Sequence, residues 1–207
     1  MAEPRLYLAS RSPRRRELLA QAGIRFDLLM LRGAIRQDDS VDESWLAGET
    51  PETYVQRIAH AKAVFGAGLL AQRRLPPGLV LAADTTLDLD GEIIGKPRDD
   101  ADASNILRRL SGRRHRVLTS VAVAKPHAAG PQIKQHLSVN EVWFRILTNN
   151  EIYRYVQSGE PMDKAGAYGI QGRAALFIES INGSHSGIVG LPLSETALLL
   201  RESGYPI

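Results

Sequence analysis

Four short stretches of this 207-residue chain carry charged or hydrogen-bonding groups that a simple fold does not require. The first, Ser10-Arg11-Ser12-Pro13-Arg14-Arg15-Arg16, reads as a turn entering a helix, with Ser12 as N-cap and Pro13 at the first helical position. Three arginines then sit at the positive end of the peptide dipole, where each cation is unfavourable by about 0.3–1 kcal/mol. The second is Asp84, an abrupt carboxylate after the apolar run GLVLAA. The third is Gly95-Lys96-Pro97, in which proline holds the lysine extended and glycine permits close approach of a ligand. The fourth, EPMDKAGAYGIQG (160–172), combines glycine turns with Asp163, Lys164 and Gln171, which offer hydrogen bonds of both signs.

Each stretch also has an ordinary explanation. Arg15 and Arg16 suit a solvated helix surface. Asp84 suits a chain turn or, with Thr86, Asp88 and Asp90 on the same period-two face, a wetted sheet edge. Lys96 suits an exposed lysine, and 160–172 suits a surface connection. Taken together, cations from separate segments could converge on a polyanion while carboxylates hold a divalent cation against it. Magnesium typically takes one or two carboxylates plus substrate phosphates, and the awkward arginines would be stabilised by the anion they face.

The elements that must position these groups alternate between strand and helix, the pattern of an α/β fold. A strand at Leu6–Ala9 leads into a helix from Pro13 to about Gln21, stopped by Gly23. Phe26–Leu31 reads as a strand, followed by the long polar connection RGAIRQDDSVDESWLAGE. Thr50 caps a helix that begins with Pro51, with Tyr54, Ile58, Ala61 and Phe65 near one face. LVLAADTTLDLDGEIIG reads as a strand continuing into a hairpin closed by Asp90-Gly91. A helix is predicted at Asp99–Leu110, and strands at Arg116–Lys125 and Gln132–Arg145 form a β-arm. TNNE (148–151) is a capping box opening a helix through Val156. A strand at Ala175–Ile181 and a closing helix with Pro192 near its start complete the chain. No repeat or linker divides it, so residues 1–207 are expected to form a single domain in two lobes.

Composition narrows the function. The net charge is +3 and a basic aromatic surface is lacking, which argues against nucleic acid as a partner. With no cysteine, disulfides, thiolate metal sites and cysteine nucleophiles are excluded. No apolar run suggests a membrane helix and the N-terminus lacks a signal-peptide order, so a cytoplasmic soluble protein is expected. The five histidines show no metal-ligand spacing. Neither a Gly-x-Ser-x-Gly elbow nor a phosphate-binding P-loop is present.

LASRSPRRRELL, VDE before YVQRIAHAKA, ADTTLDLDGEIIGKP with LSGRRHRVLT, and EPMDKAGAYGIQG with INGSHSGIVGLPL together resemble the Maf family of nucleotide pyrophosphatases. The likeness covers nearly the whole chain. It implies a mixed central sheet in two lobes with a cleft, similar to the inosine-triphosphate pyrophosphatase fold, and often a homodimer. The implied reaction is hydrolysis of a nucleoside triphosphate to the monophosphate and pyrophosphate, in a house-cleaning role. DKAGAYGIQG is similar to the branch acting on dTTP and UTP; the alternatives are a modified nucleotide such as 7-methyl-GTP, or a nucleotide-binding regulator of cell division. By the same resemblance Asp84 is the proton acceptor that activates water, and Arg14, Thr85 and Gln171 govern substrate choice. Ser10, Arg15, Lys62, Lys96 and Lys164 surround the phosphates. Glu43 joins Asp84 on a divalent Mg or Mn ion, with Asp42, Asp38 and Asp39 as alternatives for that second carboxylate.

Overall fold

The computed structural model describes residues 4–29 and 41–207. Its first part is built by crossovers. Strand β1 (Arg5–Leu8) is joined through helix α1 (Pro13–Gln21) to the parallel strand β2 (Asp27–Leu28). Helix α2 (Pro51–Gln72) then precedes β3 (Gly78–Leu89), parallel to β1 on its other side. Parallel neighbours need such crossovers, and helices are the usual ones. After β3 the chain turns antiparallel: β4 (Glu92–Ile94), helix α3 (Asp100–Leu110), β5 (Arg114–Lys125), β6 (Gln132–Phe144), helix α4 (Asn149–Val156) and β7 (Ile178–Asn182). Helices α5 (His185–Val189) and α6 (Leu193–Glu202) follow. Among the described residues the sheet order is β2-β1-β3-β5-β6-β7, with β4 also on β3.

One register relation positions the site. Strand β5 occupies one edge of β3 from Val80 to Asp88. Strand β1, which ends opposite Leu81, and the antiparallel β4, which ends opposite Leu87, must therefore share the other edge. Between them, residues 82–86 of β3 have a strand partner on one side only among the described residues. The sheet has a gap at the point where Asp84 and Thr85 lie.

Packing on either side of the gap makes two lobes. Around the first half of β3, Val80 and Ala82 pack on Ala59 and Ala63 of α2, while Leu79, Leu81 and Ala83 face Leu18 and Leu19 of α1 and Leu199 and Leu200 of α6. Helix α2 approaches so closely that a Cβ on Gly66 would lie 2.8 Å from Val80 Cγ1. Around the second half, Leu87 and Leu89 join Ile106, Leu107 and Leu110 of α3 with Phe144, Tyr155, Tyr168 and Phe177. Each large apolar side chain so buried contributes about 1.5–3 kcal/mol. Because α2 covers one face of β3 and the other helices cover the opposite face, the first half of the strand is apolar on both.

Most expected elements are present. Thr50 and Thr148 both close capping boxes, and Asp90 (φ 56°) and Gly91 (φ 88°) make the left-handed pair that the hairpin turn requires. Five points of the sequence reading are refined or corrected. Ser12 holds the N-cap place, but its side chain makes no capping bond. The last strand begins at Ile178 rather than Ala175, because residues 173–177 form a 3-10 turn that carries Ala174 and Phe177 into the core. Strand β5 is interior to the sheet, paired on both edges, so β5 and β6 are not a projecting arm. The short helix α5, capped by Ser184, was not anticipated. The strand expected at Phe26–Leu31 spans Asp27–Leu28, and its positions 30 and 31 lie outside the described residues. Among the described residues no helix is long and apolar enough to cross a membrane.

Candidate active site

The gap in the sheet opens into a cavity of about 1370 Å³ between the lobes. That is roomier than the roughly 300–1,000 Å³ of common small-molecule pockets. Ser10, Arg14, Arg15, Glu43, Lys62, Asp84, Thr85, Lys96, Lys164 and Gln171 all line it.

The floor is built from β1, α1 and β3. As β1 ends, Ala9 N donates to Leu81 O at 2.8 Å, and the chain leaves the sheet with Ser10 buried. Ser10 Oγ accepts from Ser12 N at 3.2 Å and from Arg15 Nη1 at 3.3 Å. Arg15 also donates from Nε to Gly190 O at 2.7 Å and from Nη2 to Thr85 Oγ1 at 3.0 Å. Burial lowers the Arg15 pKa, with Asp84 opposing that shift, but an arginine stays charged. Thr85 and Thr119 lie 3.0 Å apart, and Thr119 donates to Gly187 O at 2.8 Å. A guanidinium donor at one end and a carbonyl acceptor at the other impose one proton order. Thr85 accepts from Arg15 and donates to Thr119, so toward a ligand its hydroxyl can only accept.

The three arginines therefore have three fates. Arg15 turns into the floor. Arg14 lies at the cleft surface, with Nη1 3.2 Å from Asp163 Oδ2 across the opening. Arg16 is exposed on α1 and lies outside the cavity lining, the solvated role open to it from sequence.

Asp84 is 8% exposed, and Thr86 and Asp88 are also buried, so this face of β3 is not a wetted edge. Helix α2 covers it and supplies Lys62, whose Nζ lies 2.8 Å from Asp84 Oδ1 and 2.6 Å from Glu43 Oε1. Burial raises the Asp84 pKa, and the Lys62 charge pulls against that shift. Burial also disfavours the Lys62 ammonium, but Asp84 and Glu43 together outweigh it and its pKa is raised. Asp42 turns its carboxylate onto Ser44 N at 2.9 Å, which leaves Glu43 as the acid facing Lys62. Asp38 and Asp39 lie outside the described residues.

The opposite wall is residues 160–172, wound through single 3-10 turns. Lys164 Nζ donates to Glu160 O and Asp163 Oδ1, both at 2.6 Å, so its charge is already partly spent. Glu160 accepts from Tyr155 Oη at 3.0 Å and Arg173 N at 3.1 Å. A Cβ on Gly172 would lie 2.0 Å from that carboxylate, which explains the glycine. Lys96 and Gln171 are exposed, and among the described residues neither has a side-chain bond. Behind this wall Tyr168 Oη pairs with the buried His115 Nε2 at 2.7 Å.

Residues 5–203 match the model of the family described as Maf-like protein. The chain belongs to the Maf family. Among curated Maf relatives, the dTTP/UTP pyrophosphatase of Aromatoleum aromaticum is 58% identical over 206 residues, covering 99% of this chain and 98% of the relative. The protein of the same name from Dechloromonas aromatica is 56% identical, covering 97% and 98%. That of Nitrosomonas europaea is 50% identical, covering 98% and 96%.

Sequence reasoning misses Tyr54, because its helical spacing groups it with the apolar residues Ile58, Ala61 and Phe65. It lines the cavity, its hydroxyl donates to Glu43 O at 3.0 Å, and its pKa is pushed up to about 12 by burial and by Asp84 and Glu43. The signal was available: positions 54, 58 and 62 share a helix face that ends in Lys62. As for a metal, the two carboxylates converge on one cation, the Lys62 ammonium, and such oxygen donors suit Mg²⁺ or Mn²⁺. Among the described residues there is no group of three or more His, Cys, Asp or Glu able to hold an ion. Glu43 and Asp84 would therefore need oxygens from the ligand to complete a coordination sphere.

Proposed function

We propose that this Maf protein hydrolyses dTTP and UTP to the monophosphate and pyrophosphate, with Asp84 as the base. The observation that carries the reading is the meeting of Asp84, Lys62, Glu43 and Arg15 where the sheet parts. The names of relatives at 50–58% identity over nearly full length support the choice of nucleotides.

Cleavage of a phosphoanhydride requires positioning, charge neutralisation and an activated water rather than covalent chemistry by the protein. In this reading Asp84, held by Lys62 and made more basic by burial, takes a proton as the water oxygen attacks the α-phosphorus. The bond from that phosphorus to the α–β bridging oxygen breaks, and pyrophosphate leaves. Arg15 on the floor and Lys96 at the rim neutralise the phosphate chain, Ser10 donates a hydrogen bond to it, and Arg14 at the rim bears on substrate choice. Glu43 and Asp84 would hold a divalent cation, which when bound polarises phosphoryl oxygens and offsets their developing charge.

Gln171 and Thr85 supply the base-reading groups. The Gln171 amide both donates and accepts, matching the carbonyl and N3–H of uracil or thymine. The cytoplasm, where free nucleotides are, is the proposed location.

The test is a panel of dTTP, UTP, CTP, GTP and 7-methyl-GTP with Mg²⁺ or Mn²⁺, scored by pyrophosphate release. Preferential turnover of dTTP and UTP is expected. Turnover confined to 7-methyl-GTP, or binding without product, would overturn the assignment.

A further inference from the structure

Residues 41–49 include no helix or strand, and the Glu43 side chain is 50% exposed, yet its carboxylate sits on Lys62. A half-exposed glutamate loses up to about 1.5–2 kcal/mol of rotamer entropy when fixed, so a single ion pair holds it poorly. The main chain around it, however, is gripped from α2. Arg57 Nη1 donates to Asp42 O at 3.2 Å, Tyr54 Oη to Glu43 O at 3.0 Å, and Arg57 Nη2 to Ser44 O at 2.9 Å. Three successive carbonyls are thus tied to one helix. Arg57 is itself aimed by Glu49, which accepts from Nε at 2.6 Å and Nη2 at 2.8 Å, and its guanidinium lies 5.6 Å from the Tyr54 ring centre. The fork geometry is needed: a lysine has one nitrogen and cannot meet two carbonyls and both oxygens of a carboxylate.

We propose that Arg57 is a positioning residue, fixing with Tyr54 the main chain on either side of Glu43 so that this carboxylate meets Lys62 and Asp84 at the cleft mouth. The inference rests on the reading of Glu43 and Asp84 as the pair that holds the divalent cation. It assigns a role to a side chain that does not line the cavity.

The test measures Mn²⁺ binding without turnover, as free Mn²⁺ by electron paramagnetic resonance, in the presence of the α,β-methylene analogue of UTP. Loss of a group that orients a metal ligand typically weakens the metal by about 10–100-fold. Arg57→Ala and Arg57→Lys are both expected to raise the Mn²⁺ dissociation constant by about tenfold or more, and Tyr54→Phe by about threefold. Lost turnover in these variants should return as Mn²⁺ is raised. An Arg57→Ala protein with a lowered melting temperature but a dissociation constant within about twofold of wild type would mean an ordinary structural bond, and the proposal falls. Should Arg57→Ala fail to fold, an unchanged constant in Tyr54→Phe overturns it equally. A wild type that binds no Mn²⁺ would instead overturn the cation reading itself, and this inference with it.

Discussion

The two walls of the cleft are built on opposite terms. On the β3 side the polar groups are bound to one another, and all but the half-exposed Glu43 are buried or partly buried: Asp84 to Lys62, Lys62 to Glu43, Arg15 to Ser10, Thr85 and Gly190. On the 160–172 side Lys164 is neutralised by its neighbours, and Gln171 is exposed with no bond of its own among the described residues. A buried, mutually bonded set suits chemistry, because its groups are already oriented before ligand arrives. A solvent-facing set on turns suits selection, because it can be varied without disturbing the sheet. Single substitutions should separate these roles.

The largest effect is expected from Asp84→Asn, which should lower pyrophosphate release by at least about a thousandfold, through loss of the base, while circular dichroism stays native. Residual turnover near the wild-type rate would remove Asp84 from the mechanism. Next, Lys62→Met leaves Asp84 buried without its cation. Denaturant unfolding should show a loss of about 3–5 kcal/mol, and Lys62→Met with Asp84→Asn should regain part of it. Failure of the double variant to recover stability would mean that packing, not charge, holds this wall. On the opposite wall, Gln171→Ala should cost about 10–100-fold in kcat/KM for UTP, change CTP little, and leave the melting temperature unmoved. Equal losses for both nucleotides would deny that wall its selective role.

A smaller effect concerns pH. Burial depresses His115 to about 4 from its ordinary 6.5. Because the folded-state value lies below the unfolded one, this contribution is complete above pH 6.5 and is lost as pH falls toward 4. The loss should reach about 2 kcal/mol by pH 5, read from urea midpoints at pH 7.5 and 5, and should vanish in His115→Gln. The smallest effect is at Arg16. Replacing it with glutamate should stabilise α1 by about 0.3–1 kcal/mol through the helix dipole, with turnover unchanged.

Local signals in the sequence located most of the secondary structure: the N-cap at Thr50, the capping box at Thr148, the Asp90-Gly91 turn, and the apolar strand before Asp84. The ten residues named as candidates, several of them only through the family resemblance, all line one cavity. Their environments could not. Period two places Asp84, Thr86 and Asp88 on one face, but only the packing of α2 makes that face dry. Arg14, Arg15 and Arg16 are one residue type at successive 100° steps around a helix, and their different fates depend on Asp163, Gly190 and solvent. Helix α5 escaped notice because its five residues are too few for an apolar period. Tyr54 escaped because an aromatic ring at helical spacing reads as core.

Strand β3 runs unbroken through both lobes and is laddered to β5 through Asp84 and Thr85, the residues bordering the gap. Mechanically it behaves as a beam clamped along one side rather than as a hinge. The spacing between the two lobes is therefore set by the ladder, and a nucleotide can enter a slot whose width already exists. Among the described residues, the free energy that binding would lose to ordering then falls first on rim side chains such as Lys96 and Gln171, which are exposed and make no bond of their own.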